Sequence, residues 1–271
     1  MPELPEVETT RRGIAPHISG QRIRRVVIRQ PLLRWPIPGD LPQLLKGRKL
    51  LSVARRGKYL LLAFHHGTLI IHLGMSGSLR IVSPESAAQK HDHFELQVSN
   101  DRLLRLRDPR RFGAVLWTDR EAMEHPLLAN LGPEPLAEQF DGDYLHACGK
   151  NRRISIKQLI MDSKIVVGVG NIYACESLFR AAIHPGRPSN RISLQRYRRL
   201  ADEIRRVLTE AIAQGGTTLR DFLNEDGKPG YFVQSLRVYG RGGEPCPGCG
   251  KPIRSKTIAQ RSSFYCPLCQ R

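Results

Sequence analysis

The sequence has no apolar run approaching the roughly 20 residues that a membrane-spanning helix needs. Its start is acidic and proline-rich, without the basic and then apolar pattern of a secretory signal. Low-complexity tracts are missing as well. These absences predict a cytoplasmic, reduced protein with no membrane partner. Acidic residues are the other shortage, with 25 Asp and Glu against 43 Lys and Arg and a formal charge of +18. An imbalance of this size points to a polyanionic partner. There is no basic amphipathic helix with a broad exposed apolar face, so nucleic acid fits better than lipid.

What is present is enough for two domains, or one domain plus a small appendage, over 271 residues. Hydrophobic residues make up 40%, which supports a real core. A first helix is expected over residues 5–14, stopped before Pro16. Short apolar runs follow at Ile23–Ile28, 50–53, Tyr59–Phe64, 68–73, 79–82, 94–98, Leu103–Arg107 and 114–117, with turns at His65-His66-Gly67 and Asn100-Asp101. Strands at this spacing suggest a sandwich or barrel. The block fades near Leu131-Gly132-Pro133-Glu134-Pro135. Beyond it the period turns helical, at Ile156–Met161, at 172–182, and along Leu194, Tyr197, Leu200, Ala201, Ile204, Val207, Leu208 and Ala211. Ser193 and Gly215-Gly216 bracket that last helix. Asp226-Gly227-Lys228-Pro229-Gly230 reads as a mobile loop.

Cysteine is scarce but patterned. Cys246, Cys249, Cys266 and Cys269 spell C-x2-C-x16-C-x2-C, which predicts one structural zinc held by four thiolates. Thirty residues bury too little apolar surface to fold unaided, and zinc contributes about 10–16 kcal/mol in small fingers. Two disulfides would suit a secreted chain instead. Between the knuckles a hairpin is expected, with Arg261 at its tip, suited to phosphate contact. Cys148 and Cys175 lack ligand spacing and read as structural thiols.

Other motifs are weaker when taken alone. If Met1 is removed, Pro2 presents a free secondary amine, which can attack a carbonyl-like carbon, and Glu3 beside it can move protons. The plainer reading is an acidic helix start with Pro5 in the first turn and Glu6 and Glu8 at the positive end of the dipole. Gly168-Val169-Gly170-Asn171 is a glycine turn opening a helix, open to a phosphate or to simple helix packing. Lys58 follows a tight turn and is solvated by default. Met75 sits between glycines in His72-Leu73-Gly74-Met75-Ser76-Gly77, and Phe112 sits beside two arginines in Asp108-Pro109-Arg110-Arg111-Phe112-Gly113. Both residues would ordinarily be core filler.

The opening Met1-Pro2-Glu3-Leu4-Pro5-Glu6-Val7-Glu8 closely resembles the N-terminus of the formamidopyrimidine-DNA glycosylases, bacterial repair enzymes for oxidised purines. The resemblance continues through the glycine turn, which is similar to the family's helix–two-turn–helix motif, and through Gln260-Arg261-Ser262-Ser263-Phe264-Tyr265-Cys266, which is similar to its zinc finger. It implies a bifunctional glycosylase and abasic-site lyase. Pro2 would be the nucleophile, Glu3 the proton donor, Lys58 would lie by the lesion, and Arg261 would meet DNA phosphate and assist elimination. It implies DNA contacts for His91, Arg152, Lys157, Asn171 and Tyr239, and a wedge of Met75, Arg110 and Phe112 that fills the hole left by an extruded nucleotide. Residues 217–231 would correspond to a segment covering the everted base. The sequence departs from the family pattern at Ser262-Ser263, where a small residue and then Thr are usual, and at Gln158, where Pro is common.

The expected fold is therefore α+β: an N-terminal β-sandwich flanked by helices over 1–132, a helix–two-turn–helix domain over 133–235, and a zinc ribbon over 236–271. The expected partner is duplex DNA containing oxidised purines or abasic sites, engaged by a monomer. Two other readings compete. A sister enzyme, endonuclease VIII, shares the Pro-Glu logic but prefers oxidised pyrimidines, and the separated Met75 and Arg110/Phe112 wedge speaks against it. A non-catalytic DNA-binding protein would explain charge, zinc and the glycine turn, but not Pro2, Glu3 and Lys58 together.

Overall fold

The structure, a computed structural model, describes residues 2–217 and 235–271. It divides into two compact units, Met1–Ala129 with Gln214–Val233, and Asn130–Ala213 with Gln234–Arg271. The expected mobile loop at 226–230 lies outside the described residues, as does all but Thr217 of the expected covering segment. No helix among the described residues is long and apolar enough to cross a membrane.

The first unit opens with helix α1 (Leu4–Ile18). Eight strands follow: β1 (Ile23–Ile28), β2 (Ser52–Arg56), β3 (Tyr59–Phe64), β4 (Gly67–His72), β5 (Ser78–Val82), β6 (Asp92–Val98), β7 (Leu103–Arg107) and β8 (Ala114–Thr118), with a short helix α2 (Leu41–Leu45) after β1. They form two antiparallel four-stranded sheets, ordered β1-β6-β7-β5 and β2-β3-β4-β8. Alternation drives the layering. In β7, Leu104 and Leu106 enter the core, while Arg105 and Arg107 take the other face. The core joins Leu60, Leu62, Leu69 and Ile71 of one sheet to Leu79, Phe94, Leu96 and Leu106 of the other, with Val7, Ile14 and Ile18 of α1. This is the expected sandwich.

Two details differ from the sequence reading. Helix α1 does not stop before Pro16 but runs on to Ile18. Ile14 and Ile18, one turn apart, are both fully buried and hold the last turn against the core, while Pro16 stays on the exposed side. The second strand is Ser52–Arg56, not 50–53. Leu50 is buried, but its N–H goes to the Gln21 carbonyl, and Leu51 points to solvent. The turns read at His65-His66 and Asn100-Asp101 are present, closing β3 to β4 and β6 to β7.

Register places several loops at one end of the sandwich. Tyr59 pairs with His72, and His72 with Ala114; in the other sheet Arg107 pairs with both Ser78 and Asp92. The β2–β3 turn, the two sheet-crossing connections 73–77 and 108–113, and the entry to β6 at His91 therefore leave from the same end.

The second unit contains helices α3 (Gly142–Gly149), α4 (Ile156–Met161), α5 (Asn171–Arg180) and α6 (Leu194–Ala213), and the hairpin β9 (Arg254–Ile258) with β10 (Arg261–Tyr265). The apolar residues read for α6 are its buried face. Helix α5 ends at Arg180 rather than 182, and Ala182 takes a positive φ of 58°. Cys175 and Phe179 of α5 share a small core with Val238, Ile253 and the cysteines Cys246 and Cys266.

Candidate catalytic and nucleic-acid-binding sites

The N-terminal turn is unusually well fixed for a chain end. Pro2 is buried, and Glu3 is 3% and Glu6 2% exposed. Glu3 caps α1, and Glu6 completes a capping box by accepting the Glu3 N–H at 2.8 Å. The other Glu6 oxygen accepts the Thr217 N–H at 2.8 Å and its hydroxyl at 2.9 Å. Gly216 precedes it at φ +81°, and a Cβ there would lie 2.9 Å from Glu6 Oε1, so the close approach needs glycine. One buried carboxylate thus ties the first turn of α1 to the chain entering residue 218. Sequence reading gave Glu6 only a dipole role. The signal was available in the i, i+3 spacing of Glu3 and Glu6.

Lys58 sits in the two-residue turn between β2 and β3. Gly57 precedes it at φ +55°, which suits the first central position of a type II′ turn. The turn is braced toward α1 by Glu8, whose oxygens accept from Arg11 (2.8 and 3.0 Å), Arg12 (2.8 Å) and Arg55 (3.1 Å). Burial would raise the Glu8 carboxyl, but hydrogen bonds from Arg11 and Arg12 and the charges of Arg11 and Arg55 hold it at about 2. Across the β3–β4 pair, burial first, then the charges of Lys58 and Arg34, bring His72 down to about 4. Its Nδ1 accepts the Gly74 N–H at 3.0 Å, so the neutral ring keeps its proton on Nε2.

The expected wedge residues lie on the two connections between the sheets, and Asp108 joins those connections. It is fully buried, accepting from Ser76 Oγ at 3.0 Å and from the Gly113 N–H at 2.7 Å. Ser76 Oγ in turn accepts the Arg110 N–H at 3.3 Å. The Asp108 N–H donates to the His91 carbonyl at 3.0 Å, and His93 Nε2 lies 3.0 Å from the Asp108 carbonyl. A Cβ on Gly74 would stand 2.4 Å from the Phe112 backbone, so the loops touch at glycine. Arg110 stacks its guanidinium over Phe112 at 5.2 Å, and Phe112 is 45% exposed. Met75, Arg110, Phe112 and His91 are thereby brought together. Asp108 and Ser76 were the pieces sequence reading passed over, although both lie inside the two quoted motifs.

In the second unit, Lys157 is 1% exposed, and its Nζ donates to the Ser262 carbonyl (3.0 Å) and to Ser263 Oγ (2.6 Å). Asn171, the first residue of α5 after Gly170, donates through Nδ2 to the same Ser262 carbonyl at 3.0 Å. Lys157 and Asn171 therefore converge on the hairpin residue next to Arg261, which is exposed at the start of β10. Arg152 is exposed ahead of α4. Tyr239 is held by Glu176, a fully buried helix carboxylate that accepts the N–H groups of Arg237 (2.9 Å), Val238 (2.9 Å) and Tyr239 (2.8 Å). An acid inside the apolar run of α5 was the clue that went unread.

The four cysteine sulfurs all lie within 4.8 Å of one another, with Cys246 and Cys269 at 3.9 Å and Cys249 and Cys266 at 3.5 Å. A tetrahedron of thiolates about 2.3 Å from zinc has edges of about 3.8 Å. Backbone N–H groups of Gly248 and Cys269 point at the Cys246 and Cys266 sulfurs, at 3.4 and 3.5 Å, as in a knuckle that orients its ligands. The donor set and spacing fit one structural zinc, which would hold the base of the β9–β10 hairpin and leave no open position for chemistry.

Comparison with known proteins matches three segments of the chain. Residues 1–115 match the model of the formamidopyrimidine-DNA glycosylase N-terminal domain, 131–223 that family's H2TH domain, and 243–271 the zinc finger found in FPG and IleRS. A formamidopyrimidine-DNA glycosylase of Methylococcus capsulatus is 61% identical over 271 residues, covering all of both chains. One from Pseudomonas aeruginosa is 56% identical with the same coverage. Among solved structures, the MutM (Fpg) protein of Thermus thermophilus superposes with a TM-score of 0.88 at 41% identity, covering 99% of this chain and 98% of that one. A Lactococcus lactis Fpg mutant in complex with Fapy-dG-containing DNA gives 0.93 at 33% identity, with full coverage of both.

Proposed function

The chain belongs to the formamidopyrimidine-DNA glycosylase family of DNA repair enzymes, and from that premise we propose that it excises oxidised purines from duplex DNA and then cuts the strand at the resulting site. The observation that carries this reading is the N-terminal turn, where Pro2 and Glu3 are buried together and Glu6 fixes the Glu3 backbone at 2.8 Å.

With Met1 removed, the Pro2 nitrogen attacks C1′ of the damaged nucleotide, and the bond from C1′ to the base breaks with its electron pair leaving on the base. Glu3 gives a proton to the sugar ring oxygen as the ring opens to an iminium. Loss of a C2′ proton expels the 3′ phosphate, and loss of a C4′ proton then expels the 5′ phosphate. The product is a one-nucleotide gap with phosphate at both ends. Lys58 stands by the lesion and Arg261 against a flanking phosphate. The wedge of Met75, Arg110 and Phe112 offsets a flipping cost of a few kcal/mol. His91, Arg152, Lys157, Asn171 and Tyr239 position the backbone, and the +18 charge supplies general affinity.

The test is borohydride trapping on duplex DNA containing 8-oxoguanine opposite cytosine, with mass spectrometry of the reduced adduct. The expected modification is on the Pro2 nitrogen. An adduct on a lysine side chain of the unaltered protein, or faster excision of thymine glycol than of 8-oxoguanine, would overturn the assignment.

A further inference from the structure

A second cationic feature lies on the outer face of the β1-β6-β7-β5 sheet. A cavity of about 220 Å³ is lined by Arg80, Val82, Ser86, Ala87, Gln89, Asp92, Arg105 and Arg107. Arg105 is already satisfied. It donates to Glu95 (2.6 Å) and to the carbonyls of Ser86 (2.6 Å) and Ala87 (3.2 Å), and lies 3.6 Å from Asp92. Asp92 is also engaged, accepting the Gln89 N–H at 2.7 Å. Arg80 differs. Its Nε–H is shielded from solvent and meets no acceptor among the described residues. It also stands directly opposite Arg105 across the β5–β7 ladder, where like charges repel. Arg107 reaches only the neutral side chain of Gln89 among the described residues.

The plainer account is an edge-strand arginine that discourages strand pairing, since β5 ends its sheet. Such an arginine would extend its head into water along its aliphatic stem. Here the Nε–H is shielded from solvent, and the cavity beside it holds two more arginines and a single aspartate. Burial, then the charge of Arg107, pushes the Arg80 guanidinium below its ordinary value, with Asp92 opposing. The group stays cationic at neutral pH, so an anion would satisfy both its charge and its Nε–H.

We propose that Arg80, Arg107 and Gln89 form a pocket for a single phosphate-class oxyanion. The planar donors of two arginines suit two oxygens of such a group. The cavity is smaller than the roughly 300–1,000 Å³ of sites for drug-sized ligands, so it takes one phosphate group and not a whole nucleotide. That group is either a free anion or a backbone phosphate of bound DNA. The pocket goes beyond the excision chemistry and does not depend on it.

The experiment is titration of the 15N-labelled protein with inorganic phosphate at constant ionic strength, following the Arg Nε–H resonances. The Arg80 signal is expected to shift saturably, with Arg107 moving in parallel. Arg80→Gln should abolish the Arg107 response, and Arg80→Lys should weaken it. With duplex DNA present, a backbone source predicts loss of the phosphate response and a salt slope of binding shallower by about 0.9 in Arg80→Gln. A free-anion source predicts a response that persists with DNA bound and an unchanged slope. Either pattern supports the pocket. An Arg80 resonance in the unaltered protein that stays still, or drifts linearly as with chloride, removes it, and that reading needs no variant to fold.

Discussion

Asp108 offers the sharpest test of how the wedge is built. Its carboxylate is fully buried and joins the two connections between the sheets through Ser76 Oγ and the Gly113 N–H. Hydrogen bonds to a charged group contribute about 1.5–3 kcal/mol each, and a buried polar group left without a partner costs about 1–3 kcal/mol. In Asp108→Asn the remaining oxygen can still accept from Gly113 while the amide donates to Ser76, so only the charge assistance is lost, about 1–2 kcal/mol. In Asp108→Ala both partners are stranded and a small void opens, for about 3–5 kcal/mol. Urea unfolding should rank the two in that order. The functional consequence follows from what a wedge is for. Loosening the loops removes the compensation for a flipping cost of a few kcal/mol, so single-turnover excision from an intact duplex should fall about tenfold or more in Asp108→Ala. Cleavage of an abasic site in single-stranded DNA, where nothing must be extruded, should fall far less. If Asp108→Ala matches the unaltered protein in urea, or if both substrates suffer equally, the two loops are not held as one device by this carboxylate.

Other residues give independent checks. Glu6→Gln must aim an amide N–H at the N–H of either Glu3 or Thr217, so borohydride trapping should drop about tenfold or more while the fold is retained by circular dichroism. Glu8, held at about 2 against an ordinary value of 4.5, adds stability that is complete above about pH 4.5 and lost as pH falls toward 2. By linkage this is about 3 kcal/mol, and Glu8→Gln should remove both the stability and that part of the acid slope in pH-dependent denaturation. His72 adds a second slope of the same sign at higher pH. Its folded value of about 4 lies below the ordinary 6.5, so stability falls as the unfolded chain takes up a proton between those values, and His72→Gln should flatten the curve there. Elemental analysis should find one zinc per chain. Chelation or Cys249→Ser should abolish DNA binding in gel shift while leaving the melting of the first unit's sheets in place.

Much of this was legible in the residues, for identifiable reasons. Leu103-Leu104-Arg105-Leu106-Arg107 alternates as a half-buried strand must, and the apolar period of α6 is its buried face. The cysteine spacing carries its own geometry. Where the reading failed, a tertiary partner had decided the outcome. Ser52–Arg56 looks too polar for a strand until Arg55 finds Glu8 from α1, 47 residues earlier. Pro16 looks like a stop until Ile18 is seen packed in the core. The resemblance pointed to Lys157, Met75 and Phe112, but their neighbourhoods lay beyond the sequence's reach. Lys157 holds the zinc hairpin through Ser262 and Ser263, 105 and 106 residues away.

The carboxylates show why the site's support was harder to read than the site itself. Glu6, Asp108 and Glu176 are each 2% exposed or less, and each accepts from backbone N–H groups: Glu6 from Glu3 and Thr217, Asp108 from Gly113, and Glu176 from Arg237, Val238 and Tyr239. In this chain acids are outnumbered 25 to 43 and would be expected outside, paired with the basic surface. Burying three of them is tolerable because each carboxylate accepts at least two hydrogen bonds, from backbone N–H groups and, for Glu6 and Asp108, also from a hydroxyl. The 108–113 connection, held this way, keeps Pro109 to Phe112 exposed. Arg110 and Phe112 are thereby placed by residues behind them, Asp108 and Ser76. Sequence motifs report the tips, where chemistry restricts residue type. The anchors are ordinary Asp and Glu at ordinary spacings, and only the fold shows that their water has been replaced by backbone.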